Sequence, residues 1–155
     1  MAVASTSLTA EALATLGGDA AEALQDAASM DWETISAASR EQIDGIPKSV
    51  WDEVKAYGRP PMVVGQVASL VLFALGQPAD WITFKKTIRD GNFAKRIRAF
   101  DPATIDAATL DRLRDQMSRV DVNKAACSSK CMPPLIAWAQ AVIDYSDYVM
   151  VRSRG

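Results

Sequence analysis

Six cations crowd one short stretch: Lys85, Lys86, Arg89, Lys95, Arg96 and Arg98 fall within residues 84–98, against Asp90 alone. A run of this kind can draw an anionic partner by long-range attraction and hold it through rim ion pairs. More often it is simply a solvated helix face. The arrangement favours the first reading, because Trp81, Phe84, Ile88, Phe93, Ile97 and Phe100 take inward positions on two consecutive short helices and leave cations outside. Cys127 and Cys131 are four apart and would share a face of a helix. With no histidine and no third cysteine they cannot complete a four-ligand zinc site, and two free thiols is the plainer reading. The absence of histidine also excludes an imidazole base, a His-ligated metal and a Ser-His triad. Neither a Gly-x4-Gly-Lys-Ser/Thr loop nor a Gly-x-Gly-x-x-Gly turn occurs. Asp111/Asp115 and Asp144/Asp147 sit at helical spacing beside basic residues and read as solvated faces. The chemistry is that of binding, with no cofactor and no catalytic constellation.

The elements that position these residues read as helices throughout. Residues 9–28 are rich in Ala and Leu, with Leu13, Leu16, Leu24 and Ala27 near one face and Gly17-Gly18 as an interruption. Residues 29–45 are less regular. Pro47 can restart a helix in which Val50, Val54 and Tyr57 share a face, before a stop at Pro60-Pro61. Pro61 opens a helix that Gly76 and Pro78 close, and its valines and leucines leave almost no polar face. A helix apolar nearly all round belongs inside a bundle. Asp80 and Asn92 can cap the two cationic helices. On the second of them Lys95 and Arg98 point away from the core and Arg96 flanks it, while Lys86 and Arg89 lie outward on the first. Asp106 can cap a helix with Leu110, Leu113, Met117 and Val120 inward. A short polar, Cys-containing segment follows. Pro133-Pro134 then opens a last helix whose Leu135, Trp138, Val142, Tyr145 and Val149 keep the 3-4-3-4 spacing of a coiled-coil seam.

The chain has 155 residues, 49% hydrophobic and 23% charged, enough for one globular domain with a core. The longest apolar stretch, residues 62–75, is too short to span a bilayer, so no membrane role is expected. No basic region precedes an apolar one at the N-terminus, so no secretory signal is expected, and two cysteines suit a reducing compartment. Charge is lopsided. Residues 1–60 carry ten acids against four cations, whereas residues 61–155 carry thirteen cations against nine aspartates. A basic second part suggests an anionic partner. Nucleic acid is not the expected one, for there is no exposed aromatic platform and no groove-reading motif. An acidic protein surface fits.

Four motifs then carry a family resemblance. Residues 48–61, Lys-Ser-Val-Trp-Asp-Glu-Val-Lys-Ala-Tyr-Gly-Arg-Pro-Pro, resemble the end of the outgoing stalk strand of dynein heavy chains, where an acidic-aliphatic-basic run meets a Pro-Pro kink. Asp80-Trp81 opening a Lys-Lys helix is similar to the family's next segment. Asn92, Phe93, Lys95, Arg96, Ile97, Phe100 and Asp101 match its N-F-x-K-R-[LI]-x-x-[FY]-D run. Ser129, Leu135, Trp138, Ala141 and Tyr145 match the return helix. Together they cover roughly residues 46–150 in the family's order.

The resemblance implies an all-α fold: a small helical bundle capping an antiparallel coiled-coil stalk fragment. Residues 1–59 would be an N-terminal helical segment and the outgoing strand, 60–132 the bundle, and 133–155 the return helix. The implied function is microtubule binding at the tip of a dynein stalk, switched through the stalk by a distant AAA+ ATPase ring. The chain itself would be non-catalytic, in the cytoplasm and cytoskeleton, with an axonemal or ciliary heavy chain as the expected parent. The family's tubulin-facing surface implies Gln66, Lys95, Arg96, Arg98 and Lys130, and the outward Lys86 and Arg89 join them as candidates. A first-helix Lys common in the family is missing here, where Val64-Gly65-Gln66-Val67 stands. That departure raises an alternative, a docking module for an accessory protein such as a leucine-rich-repeat light chain. Residues 1–45 match the stalk poorly, and Cys131-Met132-Pro133-Pro134 implies that the last helix starts later than in relatives.

Overall fold

Pro-Pro pairs, aspartate caps and a left-handed glycine divide the described residues into their elements. A computed structural model describes residues 31–89 and 93–154. The helix expected over residues 9–28 and the cap expected from Asn92 lie outside the described residues. The described residues are all-α: α1 (Trp32–Asp44), α2 (Lys48–Lys55), α3 (Met62–Ala74), α4 (Trp81–Arg89), α5 (Phe93–Ala99), a 3-10 turn (Pro102–Thr104), α6 (Ala107–Arg119), α7 (Val122–Ser128) and α8 (Met132–Arg154). From Trp32 onward they belong to one compact unit.

α3 is the central pillar. Val64, Val67, Leu70, Val71 and Leu72 are completely buried, and α4, α6, α7 and α8 pack around them. Burying a side chain of this size contributes roughly 1.5–3 kcal/mol against leaving it in water, so the helix is held by its surroundings rather than by propensity. It ends where Gly76 takes φ +69°. The Gln77 N–H then donates to the Leu72 carbonyl at 2.9 Å and the Gly76 N–H to the Phe73 carbonyl at 3.2 Å. These two bonds satisfy carbonyls that the helix end would otherwise orphan.

The start of α1 lies opposite the second half of α8, with the Trp32 and Tyr145 rings 5.8 Å apart. The sequence reads irregularly here, yet residues 32–44 are an unbroken helix. Its buried face is Trp32, Ser36, Ser39 and Ile43, a seam at 4-3-4 spacing whose middle is hydroxyl rather than aliphatic. Ser36 Oγ donates to the Trp32 carbonyl at 2.6 Å and Ser39 Oγ to the Ser36 carbonyl at 3.1 Å, so neither buried hydroxyl goes unpaired. Hydrophobic periodicity cannot register a seam of this composition.

Two further expectations are corrected. The polar segment after α6 is a helix, α7, capped by Asp121, whose carboxylate accepts from the Lys124 N–H at 3.0 Å. Only Ala125 of α7 is buried, too little apolar signal over seven residues to betray a helix. Cys127 and Cys131 do not share a helix face. Cys127 is exposed on α7, whereas Cys131 is buried in the turn before α8, 3.3 Å from Ser129 Oγ, where burial pushes its thiol up. α8 starts at Met132, with Pro133 and Pro134 in its first turn, where they remove no helical hydrogen bond. Leu135, Trp138 and Val142 are fully buried, but Val149 is 40% exposed, so the seam opens toward the chain's end.

Gly76→Ala should therefore lower stability by about 1–2 kcal/mol, the cost of a Cβ in the left-handed region, while Gly58→Ala, where an added Cβ meets no heavy atom within 4 Å, should leave it unchanged. Urea denaturation of both variants checks this; equal midpoints would contradict the capping role.

Candidate functional site

The expected caps are in place. Asp80 accepts from the Thr83 N–H at 2.8 Å and Asp106 from the Thr109 N–H at 2.7 Å. These backbone bonds, helped by the threonine hydroxyls, hold both carboxyls below the usual carboxylate range. α4 buries Phe84 and Ile88 and half-buries Trp81, and α5 buries Phe93 and Ile97. Trp51 on α2 meets Phe93 edge-on at 5.3 Å, and Phe100 meets Trp32 at 5.8 Å and Trp138 at 5.1 Å. Aromatic contacts thus pin both ends of α5, to α2 at one end and to α1 and α8 at the other.

On this frame Lys86, Arg89, Lys95, Arg96 and Arg98 are all exposed. They do not all play the same part. Arg98 lies 3.6 Å from Asp44 at the end of α1, tying α5 to that helix. Lys85 turns inward and donates to the Tyr57 carbonyl at 3.4 Å, the same oxygen that accepts from Trp81 Nε1 at 3.0 Å. α4 thereby anchors the chain just ahead of Pro60-Pro61. Among the described residues Lys86, Arg89 and Lys95 make no ion pair and are open to an outside anion.

Gln66 and Lys130 belong to a second group. Half-buried Gln66 gives its backbone carbonyl to Gln116 Nε2 at 3.0 Å, and its side chain lines a groove with Arg119 and Lys124. Lys130, exposed in the turn before α8, lines a second groove with Glu53 of α2. α2 touches both groups, packing on α4 and on Phe93 while its other residues line the groove beside Lys130. Sequence reasoning missed Arg119 and Lys124. The signal available was Lys124 three residues after a capping Asp121, legible only once α7 is known to be a helix.

No group of acidic or cysteine side chains among the described residues could hold a metal ion, and no described helix is long and apolar enough to cross a membrane. No family model matches the chain. Individual relatives do. The chain is 29% identical over 110 residues, 66% of its length, to the dynein-1-beta heavy chain of the flagellar inner arm I1 complex of Chlamydomonas reinhardtii. It is 30% identical over 106 residues, 64% of its length, to human dynein axonemal heavy chain 6, and 31% identical over 117 residues, 70% of its length, to the cytoplasmic dynein heavy chain of Dictyostelium discoideum. Its relatives are dynein heavy chains. The dynein-like segment spans only about 2% of the length of each of these three. These relatives include axonemal and cytoplasmic heavy chains alike.

Two outcomes test this geometry. Because folding lowers the carboxyl pKa of Asp80 and Asp106, their contribution is complete above the unfolded value and is lost as pH falls through the folded one. Between about pH 5 and pH 2 the double variant Asp80→Ala/Asp106→Ala should accordingly lose less further stability than the parent chain, read as urea midpoints. Parallel pH profiles would contradict it. For Arg98 and Asp44, half-exposed partners, a double-mutant cycle with Arg98→Gln and Asp44→Asn should give a coupling of about 0.2–1 kcal/mol, and zero coupling would remove the tie between α5 and α1.

Proposed function

We propose that this dynein-like segment is a microtubule-binding module, a non-catalytic stalk tip whose affinity is set through the α1/α8 pair by a distant ATPase ring. The observation that carries the reading is the outer side of α4 and α5. Lys86, Arg89 and Lys95 stand exposed there on helices pinned by aromatic contacts, in a segment similar to dynein heavy chains. In this proposal residues 1–59 hold an N-terminal segment and the outgoing strand, 60–132 the bundle and 133–155 the return helix leading into the second strand. Arg96, Arg98, Gln66 and Lys130 complete the proposed surface, with Arg98 also holding α1. Tubulin's outer surface is acidic, so this cationic side gives rapid, salt-sensitive encounter. Rim ion pairs of roughly 0–1 kcal/mol each also allow release, which a motor requires.

A cytoskeletal location follows from this reading. An axonemal or ciliary parent remains our proposal, since the relatives carry axonemal and cytoplasmic names alike. Neither the fold nor the relatives favour a leucine-rich-repeat light chain as the partner.

Co-sedimentation of the chain with microtubules across a salt series tests the proposal. Binding should saturate and weaken as salt rises, and Lys86→Glu/Lys95→Glu should raise Kd on the order of tenfold, each reversal removing up to about 1 kcal/mol. The melting temperature should not move. Binding that ignores both salt and the double reversal would refute the surface.

A further inference from the structure

A cavity of about 240 Å³ opens between the 3-10 turn and the second half of α8. Pro102 and Ile105 line it from the turn and Val149 and Met150 from the helix, so its walls are mostly apolar. Ser146 lines it as well. This serine is 3% exposed, and its Oγ is buried without a partner among the described residues. The buried hydroxyls of Ser36, Ser39, Thr87 and Ser129 all have partners. A helical serine ordinarily satisfies itself on a carbonyl one turn back, and Ser146 does not. A buried hydroxyl left unpaired costs free energy, and this one borders a space large enough to hold what would pair with it.

Water and an organic molecule are the two candidates for that space. A buried water keeps its place through roughly two to four polar contacts. Here the facing walls are aliphatic, and the exposed Asp101 at the edge already accepts from the Ala103 N–H at 2.9 Å. An apolar cavity of roughly 150 Å³ is enough to admit benzene. The larger space beside Ser146 suits a ring of that kind carrying one polar substituent. No cation lines the cavity among the described residues, and apolar walls disfavour a charged group, so the substituent is neutral.

We infer that this cavity is a binding site for a small neutral aromatic alcohol, its hydroxyl paired with Ser146 Oγ and its ring lodged between the 3-10 turn and α8. Tyr145 shares the lining and meets Trp32 at 5.8 Å, while Asp101 directly follows Phe100. An occupant therefore fastens the 3-10 turn, and with it the end of α5, to α8. Such a site is independent of microtubule binding.

The probe is para-fluorophenol, titrated into the full chain and followed by fluorine NMR, with urea denaturation in parallel. We expect saturable binding with a Kd of about 1 mM or tighter, and a urea midpoint that rises with ligand. Ser146→Ala separates an organic ligand from a water. Relieved of an unpaired hydroxyl, the ligand-free variant should unfold at higher urea than the parent. It should nevertheless bind para-fluorophenol about fivefold more weakly, and bind fluorobenzene as the parent does. Ala103→Leu and Val149→Phe narrow the cavity from opposite sides, and each should weaken both ligands. Absent saturable binding, equal affinity of parent and Ser146→Ala for para-fluorophenol, or indifference to both narrowing variants would overturn the inference. So would a Ser146→Ala chain less stable than the parent, the result expected if the hydroxyl holds a water.

Discussion

Phe100 lies edge-on to Trp138 at 5.1 Å and to Trp32 at 5.8 Å, and Trp32 in turn meets Tyr145 at 5.8 Å. This aromatic junction joins the end of the cationic helix α5 to α1 and α8. Edge-to-face rings contribute about 0.5–1.5 kcal/mol beyond their buried area, and they fix orientation as well as distance. With Trp51 on Phe93 at its other end, α5 has little freedom to turn its exposed face independently of α1, α2 and α8. Its cations are therefore carried on a rigid support, and any displacement of α1 along α8 acts directly on that support.

The same junction explains where the polar groups sit. Ser36 and Ser39 keep their hydroxyls on carbonyls of their own helix, so the α1 seam owes no hydrogen bond to α8. Along α8, Trp138 Nε1 and Ser146 Oγ are buried without a partner among the described residues. Such groups cost free energy where they lie. The interior around α3 carries no such cost, for its buried residues are aliphatic.

Much of this arrangement was readable from residue types. Asp80 and Asp106 cap as their positions suggested, Pro61 and Gly76 bound α3, and Phe93 and Ile97 turn inward so that Lys95 and Arg98 turn out. Helical periodicity reports these because each depends on a local rule. α1 escaped it because two of its four seam residues are serines, and α7 escaped because Ala125 is its sole buried residue. Within the site, spacing placed Arg98 among the outward cations and assigned Lys85 no direction. It could not show that Lys85 serves the Tyr57 carbonyl or that Arg98 reaches Asp44, since both partners lie far away in sequence. The groove beside Gln66 was illegible for the same reason, being assembled from α3, α6 and α7.

The most direct test of the whole account is an electron-microscopic reconstruction of microtubules decorated with this chain. The account predicts density in which α5 and the turn before α8 face the lattice, the first turn of α3 beside them, and the start of α1 and the end of α8 point away. Density with α6 and the end of α8 against the lattice, or bare microtubules at low salt, would contradict it.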